Sequence, residues 1–247
     1  MERTVIIVGD SLGAPRPWEG VDLQSTYAFL LGRKLGGGSF VANYSASDNS
    51  TARSIKEAFL RTYVRAASAD YAVVHLGIVD CAPRLLSSFE RAIGFVANRV
   101  APFRPLFRAY VKLKSRYRYD LTRLFPRTLV PKEQFESNYR KLLSEIVEHN
   151  PVDKIFLINI AFPGAVLTER SYNILRNIEE YNAIISSFRS EFPGKIEIVD
   201  IFSRTAEQRD WITPDDGHHI FAPAHAWIAD CISDTIMRVG STRSAVG

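Results

Sequence analysis

The sequence contains few of the residues that covalent or metal cross-links require. Only two cysteines, Cys81 and Cys231, occur among 247 residues, and their spacing fits neither a disulfide framework nor a zinc motif. No run of about 18 apolar residues is present, so no membrane-spanning helix is expected. The first apolar run is short and lacks a small-residue cleavage site, unlike a signal peptide. We therefore expect reduced thiols and a cytoplasmic location.

The chain also lacks a glycine-rich phosphate loop. Gly9 is the single glycine between the first apolar run and Ser11, whereas nucleotide-binding fingerprints require several glycines. This absence excludes a nucleotide phosphate site at the first turn. The hydrophobic fraction of 46% is typical of a globular protein with a full core, and the net charge of +4 allows an anionic partner.

Strand and helix patterns alternate along the chain. The apolar runs at 3–9, 39–45, 70–80, 153–161 and 195–202 predict five strands, and helices are predicted at 25–38, 50–67, 132–150, 169–192 and 223–239. Continuously apolar strands separated by helices are typical of a parallel sheet that is covered on both faces. The pattern predicts one α/β domain over residues 1–247.

One segment interrupts this alternation. Residues 99–127 carry nine Lys or Arg against a single acid, Asp120, with six aromatic residues interleaved. We predict an inserted basic helical cap at about 85–130. Its surface could contact an acidic glycan, a phosphorylated or nucleotide-linked sugar, or an anionic membrane face, or it could be a solvated helix face whose aromatics pack on the core. Nucleic acid is not expected, because no known nucleic-acid module accompanies the charge.

Candidate catalytic residues follow the first and last strands. Ser11 ends the first predicted strand, and a serine becomes a nucleophile when a base takes its proton and an acid orients that base. Asp216 and His219 could supply the acid and the base, and Asp215 with His218 is the alternative pair. No distant Cys, His or Glu cluster completes a metal site around them. Elsewhere, His225 is predicted on a helix surface.

Two stretches carry a family resemblance. "VIIVGDSLG" at the start and "DDGHHIFAPAHAWIAD" near the end resemble the first and last blocks of the SGNH (GDSL) hydrolases. The resemblance implies a flavodoxin-like α/β/α fold with a five-stranded sheet. It also implies that Ser11 is the nucleophile, His219 the base and Asp216 the acid, with no metal or organic cofactor. Members of the family act on acetylated carbohydrates, lipid esters and thioesters.

The two middle blocks depart from the family pattern. In "NYSASDNST", Ser45 and Asp48 stand where the family has glycines, and Val79 replaces an asparagine that donates to the oxyanion. The remaining candidate donors are the backbone amides of Ser11 and Asp48 and the side chains of Asn49 and Arg84. The candidate substrate-binding residues are Asp10, Asp80 and Arg84, although the two aspartates could instead organise their loops. A guanidinium at Arg84 would suit an anionic substrate.

These observations predict a serine esterase that removes a small O-acyl group. The favoured substrate is an acetylated carbohydrate or a polysaccharide intermediate, which could be anionic. The alternatives are a lysophospholipase or thioesterase, a sugar acyltransferase that uses the same residues, and a catalytically lapsed glycan-binding protein.

Overall fold

Five parallel strands form one sheet at the centre of the fold. The computed structural model describes residues 2–244. The strands are β1 (Thr4–Gly9), β2 (Phe40–Asn43), β3 (Tyr71–His75), β4 (Lys154–Ile158) and β5 (Ile196–Val199), in the order β2-β1-β3-β4-β5. All four pairings are parallel. This is the flavodoxin-like order, whose topological switch point lies between β1 and β3, and ligands bind there at the carboxyl ends of the strands.

Twelve helices connect or flank these strands in the described part of the chain. They are α1 (Tyr27–Leu35), α2 (Thr51–Ser54), α3 (Glu57–Phe59), α4 (Ile78–Cys81), α5 (Ser88–Ala97), α6 (Phe103–Arg116), α7 (Arg118–Leu124), α8 (Lys132–His149), α9 (Ala165–Arg170), α10 (Ile174–Glu191), α11 (Ile201–Glu207) and α12 (Ala222–Ser244). Helix α1 packs against α12, and α8 packs against α2 and α10. The predicted three-layer α/β/α architecture is confirmed.

The core explains why the central strands read as continuous apolar runs. Every residue from Val5 to Val8 is buried, as is every residue of β3. A strand covered on both faces has no side that faces solvent, so apolar and polar residues do not alternate along its sequence. Aromatic residues of α8 and α10 pack together above the sheet, with the ring centroids of Tyr139 and Phe188 5.4 Å apart.

Two sequence-based predictions are wrong in detail. The helix expected at 50–67 is broken into α2, α3 and a π-helical turn at Leu60–Val64, because Lys56 has an extended backbone at φ −66° and ψ 139°. His225 is fully buried rather than on a helix surface. It faces α1, where its Nδ1 accepts a hydrogen bond of 3.2 Å from the amide of Tyr27.

The insertion at 85–130 contains α5, α6 and α7, and we refer to it as the cap. Its two ends are tied together by a hydrogen bond of 2.8 Å from the Arg84 amide to the Arg127 carbonyl. Helix α7 reaches the sheet domain, since Arg118 Nε donates to Ser171 Oγ at 3.1 Å. The aromatic residues do not turn to the core: Phe103 and Tyr117 are each 57% exposed. Within residues 2–244, no helix combines the length and apolarity needed to cross a bilayer.

Candidate active site

Ser11 lies at the switch point, in the turn that follows β1. The Asp10 amide donates to the His75 carbonyl of β3 at 3.0 Å, and Asp10 Oδ1 accepts from the Leu12 amide at 2.9 Å. A Cβ atom at Gly9 would lie 2.5 Å from Ser45 Oγ, so any larger residue at the end of this strand would displace the Ser45 side chain. The strand, the glycine and the aspartate together hold the serine at the edge of the sheet.

The structure brings Ser11 together with the two residues expected to activate it. Ser11 Oγ lies 3.0 Å from His219 Nε2, and His219 Nδ1 lies 2.6 Å from Asp216 Oδ2. Asp216 Oδ1 in turn accepts from Thr213 Oγ1 at 2.6 Å and from the His219 amide at 3.1 Å. Burial would raise the pKa of Asp216, but these contacts and the neighbouring histidines lower it well below its usual range. The carboxylate is therefore ionised and fixed in orientation.

The alternative pair of Asp215 and His218 is not assembled. Asp215 is exposed, and it is the ring of His219 that contacts Ser11. His218 stacks beside His219 with ring centroids 4.2 Å apart, and burial lowers its pKa. His218 therefore forms a wall of the site beside the histidine that contacts Ser11.

A second carboxylate reaches the histidine, and sequence reasoning missed it. Glu19 Oε1 lies 3.1 Å from His219 Nδ1, while Glu19 Oε2 accepts from Arg16 Nε at 2.7 Å. The Arg16 guanidinium is buried and also donates to the carbonyls of Ser11 and Ile220. This pair ties the serine turn to the histidine loop. Arg16 and Glu19 lie at the two ends of a short 3-10 helical turn that carries no sequence motif, so only the folded structure identifies them.

The backbone amides of Ser11 and Asp48 are free to stabilise an oxyanion. Neither amide donates a hydrogen bond to another residue in the described range, and both residues line one cavity with His219. Asp48 has a positive φ of 56°. This is the left-handed conformation that favours glycine and that aspartate tolerates better than most residues. Asp48 thus stands at the family's glycine position in a backbone conformation that glycine adopts readily.

Asn49 does not supply the missing side-chain donor, and this prediction is corrected. Its Nδ2 donates to the Gly9 carbonyl at 2.9 Å and its Oδ1 accepts from Ser54 Oγ at 3.2 Å. The side chain is buried with both ends engaged, and it does not line the cavity. Asn49 instead attaches the second loop to β1.

Asp10 and Asp80 do not bind substrate either, since both are fully buried outside the cavity. Asp80 accepts from the amide and the hydroxyl of Thr51, at 3.0 and 2.7 Å. Burial raises the pKa of Asp10 to about 7 and that of Asp80 to about 6. The two aspartates organise the loops that frame the site.

Two arginines enter the cavity around Ser11. The cavity has a volume of about 350 Å³, and its lining comprises Ser11, Ser47, Asp48, Ile78, Val79, Ala82, Arg84, Arg118, Leu167, His218 and His219. The Arg84 guanidinium donates to the Val79 carbonyl, so it occupies the neighbourhood of the missing asparagine. Arg118 comes from the cap, and the sequence analysis did not single it out as a site residue. Burial lowers the pKa of both arginines.

Asp216, His218 and His219 also place potential metal ligands within 4.8 Å of one another. Both ring nitrogens of His219 already face protein groups: Nε2 faces Ser11 and Nδ1 faces the carboxylate. This geometry suits proton transfer between the hydroxyl and the imidazole better than ligation of an ion.

Comparisons with known proteins agree with this fold. A sequence profile of the GDSL-like lipase/acylhydrolase family matches residues 7–227. No curated protein sequence matches the chain significantly. Among solved structures, it is similar to Axe2, an acetylxylan esterase from Geobacillus stearothermophilus, with 16% identity, 93% of this chain and 92% of that chain covered, and a TM-score of 0.60.

Two further structures share the fold. A lipase/acylhydrolase from Enterococcus faecalis is 15% identical, with 95% of each chain covered and a TM-score of 0.63. LAE5, an alpha/beta hydrolase enzyme from the metagenome of Lake Arreo in Spain, is 16% identical, with 93% of each chain covered and a TM-score of 0.59. The profile match spans most of the chain, so this protein belongs to the GDSL-like lipase/acylhydrolase family and is an ester hydrolase.

Proposed function

We propose that this enzyme removes a small O-acyl group, acetate first among them, from an anionic carbohydrate through a Ser-His-Asp triad. The observation that carries the proposal is the line of contacts from Ser11 Oγ to His219 Nε2 and from His219 Nδ1 to Asp216, at 3.0 and 2.6 Å. These are the distances at which a hydroxyl can pass its proton to an imidazole that a carboxylate holds in place.

The reaction proceeds in two steps. Ser11 Oγ attacks the ester carbonyl while His219 Nε2 takes its proton, and Asp216 stabilises the imidazolium that forms. The tetrahedral intermediate collapses to an acyl-enzyme when His219 returns the proton to the leaving sugar oxygen. A water molecule, deprotonated by the same imidazole, then attacks the acyl-enzyme and releases the carboxylic acid and Ser11.

The oxyanion of each tetrahedral intermediate requires hydrogen-bond donors. We assign the amides of Ser11 and Asp48, which have no partner among the described residues. Arg84 is the third donor, because its buried Nε has no hydrogen-bond partner and its guanidinium lies beside Val79. Removing one such donor typically costs on the order of 100-fold in rate, so a charged replacement for the asparagine preserves catalysis.

The cavity supports an anionic and compact substrate. Arg84 and Arg118 both line it, and within residues 2–244 neither forms an ion pair with a carboxylate. The carboxylates of Asp48 and Asp80 act on Arg84 from beyond ion-pair distance. A partly buried cation that lacks an ion-pair contact gains from an anionic ligand, and the guanidinium fork fits a carboxylate or a phosphate. The volume of about 350 Å³ suits an acetyl group with part of a sugar rather than a long acyl chain.

The similar acetylxylan esterase supports the carbohydrate assignment. Three of its structures carry catalytic mutations, at a serine, at an aspartate and at a histidine three positions after that aspartate. Asp216 and His219 have the same spacing.

Cleavage of a lysophospholipid or an acyl thioester is the second candidate. A strongly apolar groove of about 760 Å³ in the cap favours it, since such a groove could hold an acyl chain. Its lining shares no residue with the Ser11 cavity. Transfer of the acyl group to a sugar hydroxyl would use the same triad, with the sugar replacing water in the second step.

A panel of esters tests the proposal. Wild type and Ser11→Ala, purified identically, are assayed on aryl esters from acetyl to dodecanoyl and on acetylated sugars with and without a uronate carboxylate. We expect activity that requires Ser11, falls with acyl length and is highest on the acetylated uronate. A maximum at long chains would support the lipid alternative, and turnover that persists in Ser11→Ala would contradict the mechanism.

A further inference from the structure

The cap exposes an apolar surface that the rest of the chain does not cover. Helix α6 buries none of its 14 residues. Between α5 and α6 runs the apolar groove of about 760 Å³, lined by residues that include Ile93, Val96, Phe103 and Leu106. These four side chains are between 45% and 67% exposed. Exposed apolar patches of this kind mark interaction surfaces.

Helix α6 divides this surface into two chemically different sides. Arg104, Arg108, Lys112 and Arg116 recur every four residues and form a basic stripe along one side. Phe103, Leu106, Phe107, Tyr110 and Leu113 occupy the opposite arc, since each residue advances about 100° around the axis. All four residues of the basic stripe are exposed, and no carboxylate of the described residues lies within ion-pair distance of them. Helix α6 is therefore amphipathic, and both its basic side and its apolar side have residues exposed to solvent.

The charge of the cap differs in sign from that of the rest of the protein. Residues 99–127 carry nine basic residues and one acid, a formal charge of +8, whereas the whole chain carries +4. The remaining residues therefore carry a net charge of −4. The positive charge is concentrated on the surface that also exposes the apolar groove.

We propose that the cap binds the surface of a membrane rich in anionic lipid. The apolar side of α6 and the facing residues of α5 enter the boundary between headgroups and acyl chains, and the basic stripe contacts the lipid phosphates. A basic amphipathic helix with large apolar side chains is the structure that lies in such an interface.

Other occupants fit these observations less well. A second copy of the chain would oppose one strongly basic surface to another across a symmetric interface, which like charges disfavour. Nucleic acid would match the charge, but the aromatic residues of the groove are interspersed with aliphatic side chains such as Ile93, Val96 and Leu106, which offer bases no stacking surface and no hydrogen bonds to their edges. An anionic bilayer satisfies both the charge and the apolar area.

The position of the groove relates membrane binding to the ester hydrolase site. A smaller cavity of about 210 Å³ shares Arg84 with the Ser11 cavity and Glu90 with the apolar groove. A bilayer on the groove would therefore lie close to the catalytic cavity, which would favour substrates held at the membrane surface.

Vesicle co-sedimentation tests this proposal. The full-length protein is mixed with vesicles of phosphatidylcholine alone, or of equal parts of phosphatidylcholine and phosphatidylglycerol. The stripe variant combines Arg104→Glu, Arg108→Glu and Lys112→Glu, and the groove variant combines Phe103→Ser and Leu106→Ser. The matched control, Lys56→Glu with Arg61→Glu and Lys141→Glu, changes three exposed basic residues outside the cap by the same total charge.

We expect wild type and control to bind only the anionic vesicles, with binding reduced by added salt. Both cap variants should lose at least about tenfold in binding while hydrolysing a soluble aryl acetate as wild type does, which shows that they are folded. Equal loss in the control, equal binding to neutral vesicles, or no binding by wild type would overturn the proposal. If wild type is a dimer and the groove variant is a monomer, the surface would instead bind a second copy of the chain.

Discussion

The sheet domain and the cap use apolar residues in opposite ways. In the sheet domain they are buried: Ile7, Leu142 and Phe156 are all fully inaccessible. In the cap they are exposed, and Leu106 and Leu124 are 67% and 70% accessible. Burial of a large apolar side chain stabilises a fold by about 2 kcal/mol, so the cap contributes little to its own stability. The contrast shows that the cap leaves large apolar side chains available for contacts outside the chain, whereas the sheet domain buries them in its core.

The largest expected effect concerns the catalytic edge of the sheet domain. Asp216→Asn should reduce kcat by about 10³- to 10⁴-fold, because an amide no longer stabilises the imidazolium of His219. Steady-state kinetics on an aryl acetate measure the effect. The neighbouring Asp215→Asn is the matched control and should retain wild-type activity. Equal losses in the two variants would contradict the assigned register.

Paired truncations test the comparison between the regions directly. Leu142→Ala removes a fully buried side chain and should lower the free energy of unfolding by about 2–5 kcal/mol. Leu106→Ala removes an exposed one and should change it by less than about 0.5 kcal/mol. Urea unfolding gives both values. A comparable loss in Leu106→Ala would mean that the cap packs as a second core.

Arg118 crosses the boundary between the two regions, since it lies in the cap but lines the Ser11 cavity. Arg118→Gln should raise KM about tenfold for an anionic acetyl ester and leave KM for a neutral one nearly unchanged, because it removes a charged donor from the cavity. The control Arg116→Gln alters an exposed residue of the same cap. Equal effects on both esters would show that Arg118 supports the cavity rather than recognising charge.

The smallest effect concerns pH. The pKa of buried Asp10 is raised to about 7 in the folded protein, whereas an unfolded aspartate titrates near 3.8. The folded state therefore binds more protons between these values, and stability is lost as pH rises from about 4 to about 7. Asp10→Asn keeps the acceptor for the Leu12 amide without the ionisation. The difference in Tm between Asp10→Asn and wild type should increase as pH rises from about 4 to about 7 and remain constant at higher pH. A constant difference would contradict the raised pKa.

Local sequence signals predicted the fold and the residues of the triad motif. The strand runs are apolar because they are buried, and Ser11, Asp216 and His219 lie in short motifs with fixed spacing. Contacts between distant segments gave no such signal. Glu19 reaches His219 across 200 positions, and Arg118 enters the cavity from the insertion.

The errors have the same physical origin. Asn49 has the right chemistry for an oxyanion donor, but its side chain is buried outside the cavity, where it donates to the Gly9 carbonyl of β1. His225 was predicted on a helix surface, yet it lies on the side of α12 that packs against α1, where it accepts a hydrogen bond from the Tyr27 amide. Asp48 shows the reverse case: its side chain departs from the family pattern, while its backbone has the positive φ that glycine adopts readily. Side-chain identity alone did not reveal whether a donor was free.

The central claim is that Ser11 is a nucleophile activated by His219, and covalent labelling measures it most directly. Wild type is treated with a fluorophosphonate, digested and analysed by mass spectrometry, beside Ser11→Ala and His219→Ala. The account predicts one adduct on the peptide that contains Ser11, no adduct in Ser11→Ala and strongly slowed labelling in His219→Ala. An adduct on another residue, or labelling of Ser11 at the same rate without the histidine, would contradict it.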